Sequence, residues 1–96
     1  MELNSELDRI SDLRKFAPVL KEQLRQIRKW GIQNHDPAFY HLILSEEVGE
    51  VAEAILQTVG EGNIQTWSDV IKELIEVQAV AQSMIESIER NQLKNQ

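Results

Sequence analysis

Four glutamates set on two apolar helix faces constrain this chain more than any other feature. Glu46-Glu47-Val48-Gly49-Glu50 and Glu73-Leu74-Ile75-Glu76 each carry a pair of glutamates three positions apart. At about 100° per residue such a pair occupies neighbouring ridges of one helix face. With Glu47 as origin, Ile43, Leu44, Val51, Ala54 and Ile55 all fall within about 80° of it. With Glu73 as origin, Val70, Val77, Val80 and Met84 fall within about 60°. Glu47 and Glu73 therefore lie inside apolar stripes, and Glu50 and Glu76 lie at the edges. A carboxylate on a buried stripe is costly unless it is paired or holds a metal. No Lys or Arg faces inward at either place, so the pattern asks for a cation. Four carboxylates suit a hard divalent ion that prefers oxygen ligands, Mg²⁺ or Mn²⁺.

The rest of the chain supplies a helical frame. Two prolines and four glycines in 96 residues, with abundant Leu, Ile, Glu, Gln and Ala, predict an all-α fold in a single domain over 1–96. Residues 1–17 are expected to form an N-terminal helical extension and 18–91 the core. A chain this short has too little interior of its own. The expectation is an antiparallel helical hairpin plus N-terminal helices, giving a four-helix-bundle-like core completed by oligomerisation. A net charge of −6 argues against nucleic acid as a partner, but not against a nucleotide whose phosphates arrive with a metal. With no cysteine, no signal-peptide pattern and no apolar run of membrane-spanning length, the expected setting is cytoplasmic with no membrane partner.

Taken in order, Leu3, Leu7, Ile10, Leu13, Ala17, Leu20, Leu24 and Ile27 recur at threes and fours, with Pro18 between them. This predicts two helices, about 5–16 and 18–29, or one kinked helix. Arg9, Arg14, Lys15, Lys21, Arg25, Arg28 and Lys29 make this the basic part of an acidic chain. They form either a solvated outer face or a source of phosphate contacts. Gly31 fits a helix end, and Asp36-Pro37 a helix start. Trp30, Gln33, Asn34 and His35 fall between them, where they either plug the core and cap helices or help hold a base or sugar. A second helix is predicted from Pro37 to Val59, ending at Gly60. Gly49 in its interior suggests another helix packed closely on its back, and His41 sits on a flank. Thr66 with Asp69 resembles a capping box that opens a third helix running to about Asn91. The tail Leu93–Gln96 is expected to fray.

Clustered carboxylates on facing helices serve two chemistries. Redox di-metal bundles use Glu-x-x-His to supply nitrogen ligands, and the corresponding positions here are Glu50 and Glu76. An all-oxygen set favours a metal that bridges phosphate oxygens, with a carboxylate positioning the attacking water.

Here the chain resembles the MazG-like all-α nucleoside triphosphate pyrophosphohydrolases, whose signature is Glu-Glu-x-x-Glu, a spacer, then Glu-x-x-Asp. Glu46-Glu47-x-x-Glu50 matches in full, and Glu73-x-x-Glu76 follows after residues 51–72. Trp30-Gly31-x-Gln33-Asn34-His35 is similar to the segment that leads into the motif, and the likeness covers about residues 20–88. The resemblance implies hydrolysis of an NTP or dNTP to the monophosphate and pyrophosphate, with Mg²⁺ held by Glu47, Glu50, Glu73 and Glu76. Glu46 carries over as a motif residue, but its wheel position makes it a poorer ligand. The resemblance also implies a homodimer or a tetramer made of dimers. Trp30, Gln33, His35 and Trp67 are the candidate base or sugar contacts. Phosphate contacts would come from Lys72, from the basic first helices, or from a partner chain.

Glu76 stands where the family has Asp, which sets its carboxylate outward by about 1.5 Å, one covalent bond. Two other functions compete with hydrolysis. One is a module that binds metal or nucleotide without turnover. The other is a structural helical dimer with its glutamates paired across the interface.

Overall fold

In the computed structural model, residues 3–60, 62 and 64–93 are described. The fold is all-α: α1 is Leu3–Ser11, a 3-10 turn follows at Leu13–Phe16, and α2 is Ala17–Trp30, α3 Pro37–Val59 and α4 Trp67–Asn91. The alternative of two N-terminal helices is realised. The break falls at Asp12, whose side chain accepts from the Arg14 amide, so Pro18 sits in the first turn of α2, where no N–H is missed.

Four of the helix ends have a local chemical cause. Gly31 closes α2 with φ of 77°, a left-handed value that favours glycine. Asp36 caps α3 by accepting from the Phe39 amide at 3.0 Å. Gly60 ends α3 where a Cβ would stand 2.6 Å from the Leu56 carbonyl oxygen, so a larger residue does not fit. Thr66 and Asp69 form the expected capping box, with the Thr66 amide donating to Asp69 at 2.8 Å. Of the connecting loop, residues 61 and 63 lie outside the described residues, as do 94–96 of the tail.

α4 is the central element. α3 runs antiparallel along it and α2 packs against it, whereas α2 and α3 make no close backbone approach among the described residues. A trough is therefore left over α4 between them. α1 makes no backbone approach to another helix among the described residues. The interior is thin: the buried apolar residues are Tyr40, Ala54, Val70, Ala79 and Val80, only one of them large. Leu20, Leu42 and Leu56 are each more than 60% exposed. The radius of gyration is 16.4 Å, against about 13 Å for a compact domain of some hundred residues.

Gly49 departs from expectation, because a Cβ built there meets nothing within 4 Å. Among the described residues no element covers the back of α3 at that point, so close packing between them does not explain the glycine.

Replacing Thr66 with Ala removes the acceptor for the Asp69 amide and is expected to cost about 1 kcal/mol. Chemical denaturation should show this as a lower midpoint at unchanged slope.

Candidate functional site

The antiparallel pairing of α3 with α4 sets Glu47 and Glu50 opposite Glu73 and Glu76. One carboxylate oxygen from each of the four lies within 4.8 Å of all the others, and all four residues are half-buried. The longer side chain of Glu76 does not take it out of the cluster. Glu46 is exposed and stands apart.

Two oxygens at the centre are left without donors. Glu47 Oε2 and Glu73 Oε2 are both buried and accept no hydrogen bond. Burial pushes the Glu47 carboxyl up to about 7, helped by the charges of Glu50, Glu76 and Glu73. Burial, then contact with Glu76, pushes Glu73 to about 7 as well. Arg25 is a cation whose charge interacts with Glu47 and Glu76, but its guanidinium is held by Glu22 at 2.7 Å. The residues fit a hard divalent cation: every donor is oxygen, and two are orphaned where desolvation is costly.

The trough over α4 encloses a cavity of about 490 Å³, within the range of small-molecule sites. Glu47 and Glu76 stand at one end, Ile43 and Val80 line the middle, and His35, Glu86 and Arg90 lie at the other end. Trp30 and Gln33 also line it, so the structure brings three of the sequence-derived contacts, Trp30, Gln33 and His35, to one cavity. Trp67 is exposed at the start of α4, outside this lining. Lys72 borders a separate shallow groove with Pro18, Lys21 and Ile75.

The loop that carries these contacts is tied down by polar bonds to α4. Arg90 donates to Asn34 Oδ1 through Nε at 3.0 Å and Nη2 at 2.8 Å, and Asn91 donates to the same oxygen at 3.2 Å. The Tyr40 hydroxyl donates to the Gln33 carbonyl at 2.9 Å. His35 Nε2 lies 2.9 Å from Gln33 Oε1, and its ring stacks edge-on against Phe39 and Tyr40. Asn34 is thus used to fix the loop, while Gln33 and His35 border the cavity.

Sequence reasoning missed Gln23, Glu86 and Arg90 as cavity residues, and Arg25, which also lines the cavity, was named only among the seven bases of the first helices. A signal was present for one of them. Gln23 falls on the stripe of Leu20, Leu24 and Ile27, where a polar residue needs a partner, and it is 8% exposed.

The raised carboxyls make stability depend on pH with a definite sign. Below about 4.5, the ordinary glutamate value, folded and unfolded chains are both protonated at these groups. Between about 4.5 and about 7 only the folded chain holds the protons, so the folded state loses ground as pH rises. Thermal melts in chelator should show Tm falling across that window, and Glu47→Gln should make the fall shallower.

Compared with protein-family models, curated proteins and solved structures, the chain finds no match.

Proposed function

We propose that this chain is a divalent-metal-dependent pyrophosphohydrolase that converts a nucleoside triphosphate, NTP or dNTP, to the monophosphate and pyrophosphate. The observation that carries the reading is a four-carboxylate cluster with two orphaned buried oxygens, set at one end of a nucleotide-sized cavity. The resemblance of Glu46-Glu47-x-x-Glu50 and Glu73-x-x-Glu76 to the MazG-like signature points the same way.

Glu47, Glu50, Glu73 and Glu76 would hold Mg²⁺, or Mn²⁺, which supplies charge neutralisation and polarisation of the phosphate oxygens. In the reaction a water oxygen bonds to the α-phosphorus. The bond from that phosphorus to the bridging oxygen breaks, and its electron pair leaves with pyrophosphate. The water's proton passes to a carboxylate oxygen of the cluster. Arg25 lines the cavity beside the carboxylates, and exchanging Glu22 for a phosphate would keep its charge paired while orienting the substrate. Trp30, half exposed at the cavity wall with Lys29 over its ring at 4.6 Å, would offer aromatic surface to base or sugar.

Oligomerisation belongs to the same proposal. The thin interior, the apolar residues left exposed on α2 and α3, and the uncovered back of α3 at Gly49 support a homodimer or a dimer of dimers. A partner on those faces would complete a four-helix-bundle-like core.

Pyrophosphate release should require Mg²⁺ or Mn²⁺ and should fall at least about 100-fold in Glu47→Gln and Glu73→Gln, since even groups that merely support metal ligands matter by roughly 10–100-fold. Circular dichroism should show both variants still helical. No turnover across an NTP and dNTP panel would sink the reading, and metal-dependent binding without turnover would replace it with a binding module. Mg²⁺ should also raise the melting temperature by mass action, whereas a purely structural dimer would not respond. Sedimentation should give a species larger than the 11.1 kDa chain.

A further inference from the structure

The end of the cavity away from the carboxylates carries two hydrogen-bond acceptors, Glu86 and Gln23, beside Arg90. Gln23, buried on α2, donates through Nε2 to Glu86 Oε2 on α4 at 2.9 Å. Gln82 donates to that same oxygen at 2.9 Å. Glu86 Oε1 accepts no hydrogen bond among the described residues, and neither does Gln23 Oε1, yet both residues line the cavity. With its amide nitrogen committed to Glu86, Gln23 has its carbonyl left to offer. The bonds from Gln23 and then Gln82 hold the Glu86 carboxyl below the usual carboxylate range, so it is charged at neutral pH. Two neighbouring acceptors, one of them anionic, therefore border the same space.

Their place along the cavity matters. Glu86 is ten positions beyond Glu76 on one helix, which is about 15 Å at 1.5 Å per residue. A nucleotide with its phosphates at the carboxylate cluster would extend its base towards this end.

Resting on the nucleotide reading above, we propose that Glu86 and Gln23 select the base: the cavity takes a nucleobase that presents an exocyclic amino group and disfavours one that presents a carbonyl there. An amino group has two N–H donors to place against two acceptors, and a carboxylate is a natural acceptor for the amino group of cytosine. A keto oxygen in the same place would face the carboxylate and the amide oxygen with no proton between them. A polar site built for a donor rejects an analogue that lacks it, because its own groups are then left unpaired. Arg90, one helical turn beyond Glu86, is the competing reader, since a guanidinium would donate to a keto group. Its Nε and Nη2 are already occupied by Asn34.

The test uses pairs that exchange an amino group for a keto group, and with it the neighbouring ring nitrogen from acceptor to N–H donor: CMP against UMP and AMP against IMP, binding to the wild-type protein by calorimetry with Mg²⁺. Monophosphate binding does not need turnover, so its result stands apart from that of the hydrolysis assay. The amino member of each pair should bind about 10-fold more tightly, the low end of what one well-placed base contact contributes. Glu86→Gln, whose amide presents either a donor or an acceptor, should bring each pair to within about 3-fold, with thermal melts verifying that it is folded. Selective binding without hydrolysis of any triphosphate would leave this inference standing and remove the enzyme reading. Equal binding within the wild-type pairs, preference for the keto members, or no binding of any of the four would overturn the inference itself. Tighter binding of UMP and IMP would assign the reading of the base to Arg90.

Discussion

The interface between α3 and α4 must accommodate four carboxylates where a helical hairpin of this length would ordinarily bury leucines. That single constraint organises what lies around it. Burial disfavours the charged form and each added negative charge makes its neighbours harder to ionise, which is why the Glu47 and Glu73 carboxyls are pushed up to about 7. Side chains of α2 do not quench the cluster. Arg25 is close enough to feel it but is paired with Glu22. The helices are held instead by contacts above and below, with Val70 on one side of the acids and Ala79 and Val80 on the other.

The way the helices are joined follows from keeping the trough open. Were α2 to pack on α3 as well as on α4, the space over the carboxylates would be filled by side chains. Polar ties at the rim take the place of that contact: Gln23 to Glu86 links α2 to α4, and Arg90 and Asn91 hold the α2–α3 loop through Asn34. Hydrogen bonds are directional and contribute only about 1 kcal/mol each in net stability. They fix position without filling volume, which is what a cavity wall requires.

How much of this was legible in the sequence depended on whether the signal was local. Helix ends were, because Asp36, Gly60 and the Thr66–Asp69 box act within one turn of the chain. The carboxylate cluster was legible too, since helical periodicity alone puts Glu47 and Glu73 on inward faces and a short hairpin brings those faces together. Glu86 was not, because its partner Gln23 is brought to it by the packing of α2 on α4, and no periodicity specifies which residues of two helices meet. Trp67 and Lys72 show the converse. Their residue types suit a binding site, but the start of α4 carries one into solvent and the other to a different groove.

Site and stability also oppose each other. The cluster places charge in an interior whose apolar members are mostly Ala and Val, so the cost of desolvation falls on a core with little to offset it. Replacing Glu47 and Glu73 with leucine would extend the apolar stripes on both helices and remove the repulsion, at the loss of every feature that makes the cavity polar at that end. A chain under pressure for stability alone has no physical reason to keep four acids there. In the proposed assembly, a bound cation would meet the electrostatic cost and a partner chain would cover the apolar residues exposed on α2 and α3. Those two contributions answer different deficits, and neither substitutes for the other: the ion acts only within the cluster, and the partner's apolar surface leaves the orphaned oxygens of Glu47 and Glu73 as they were.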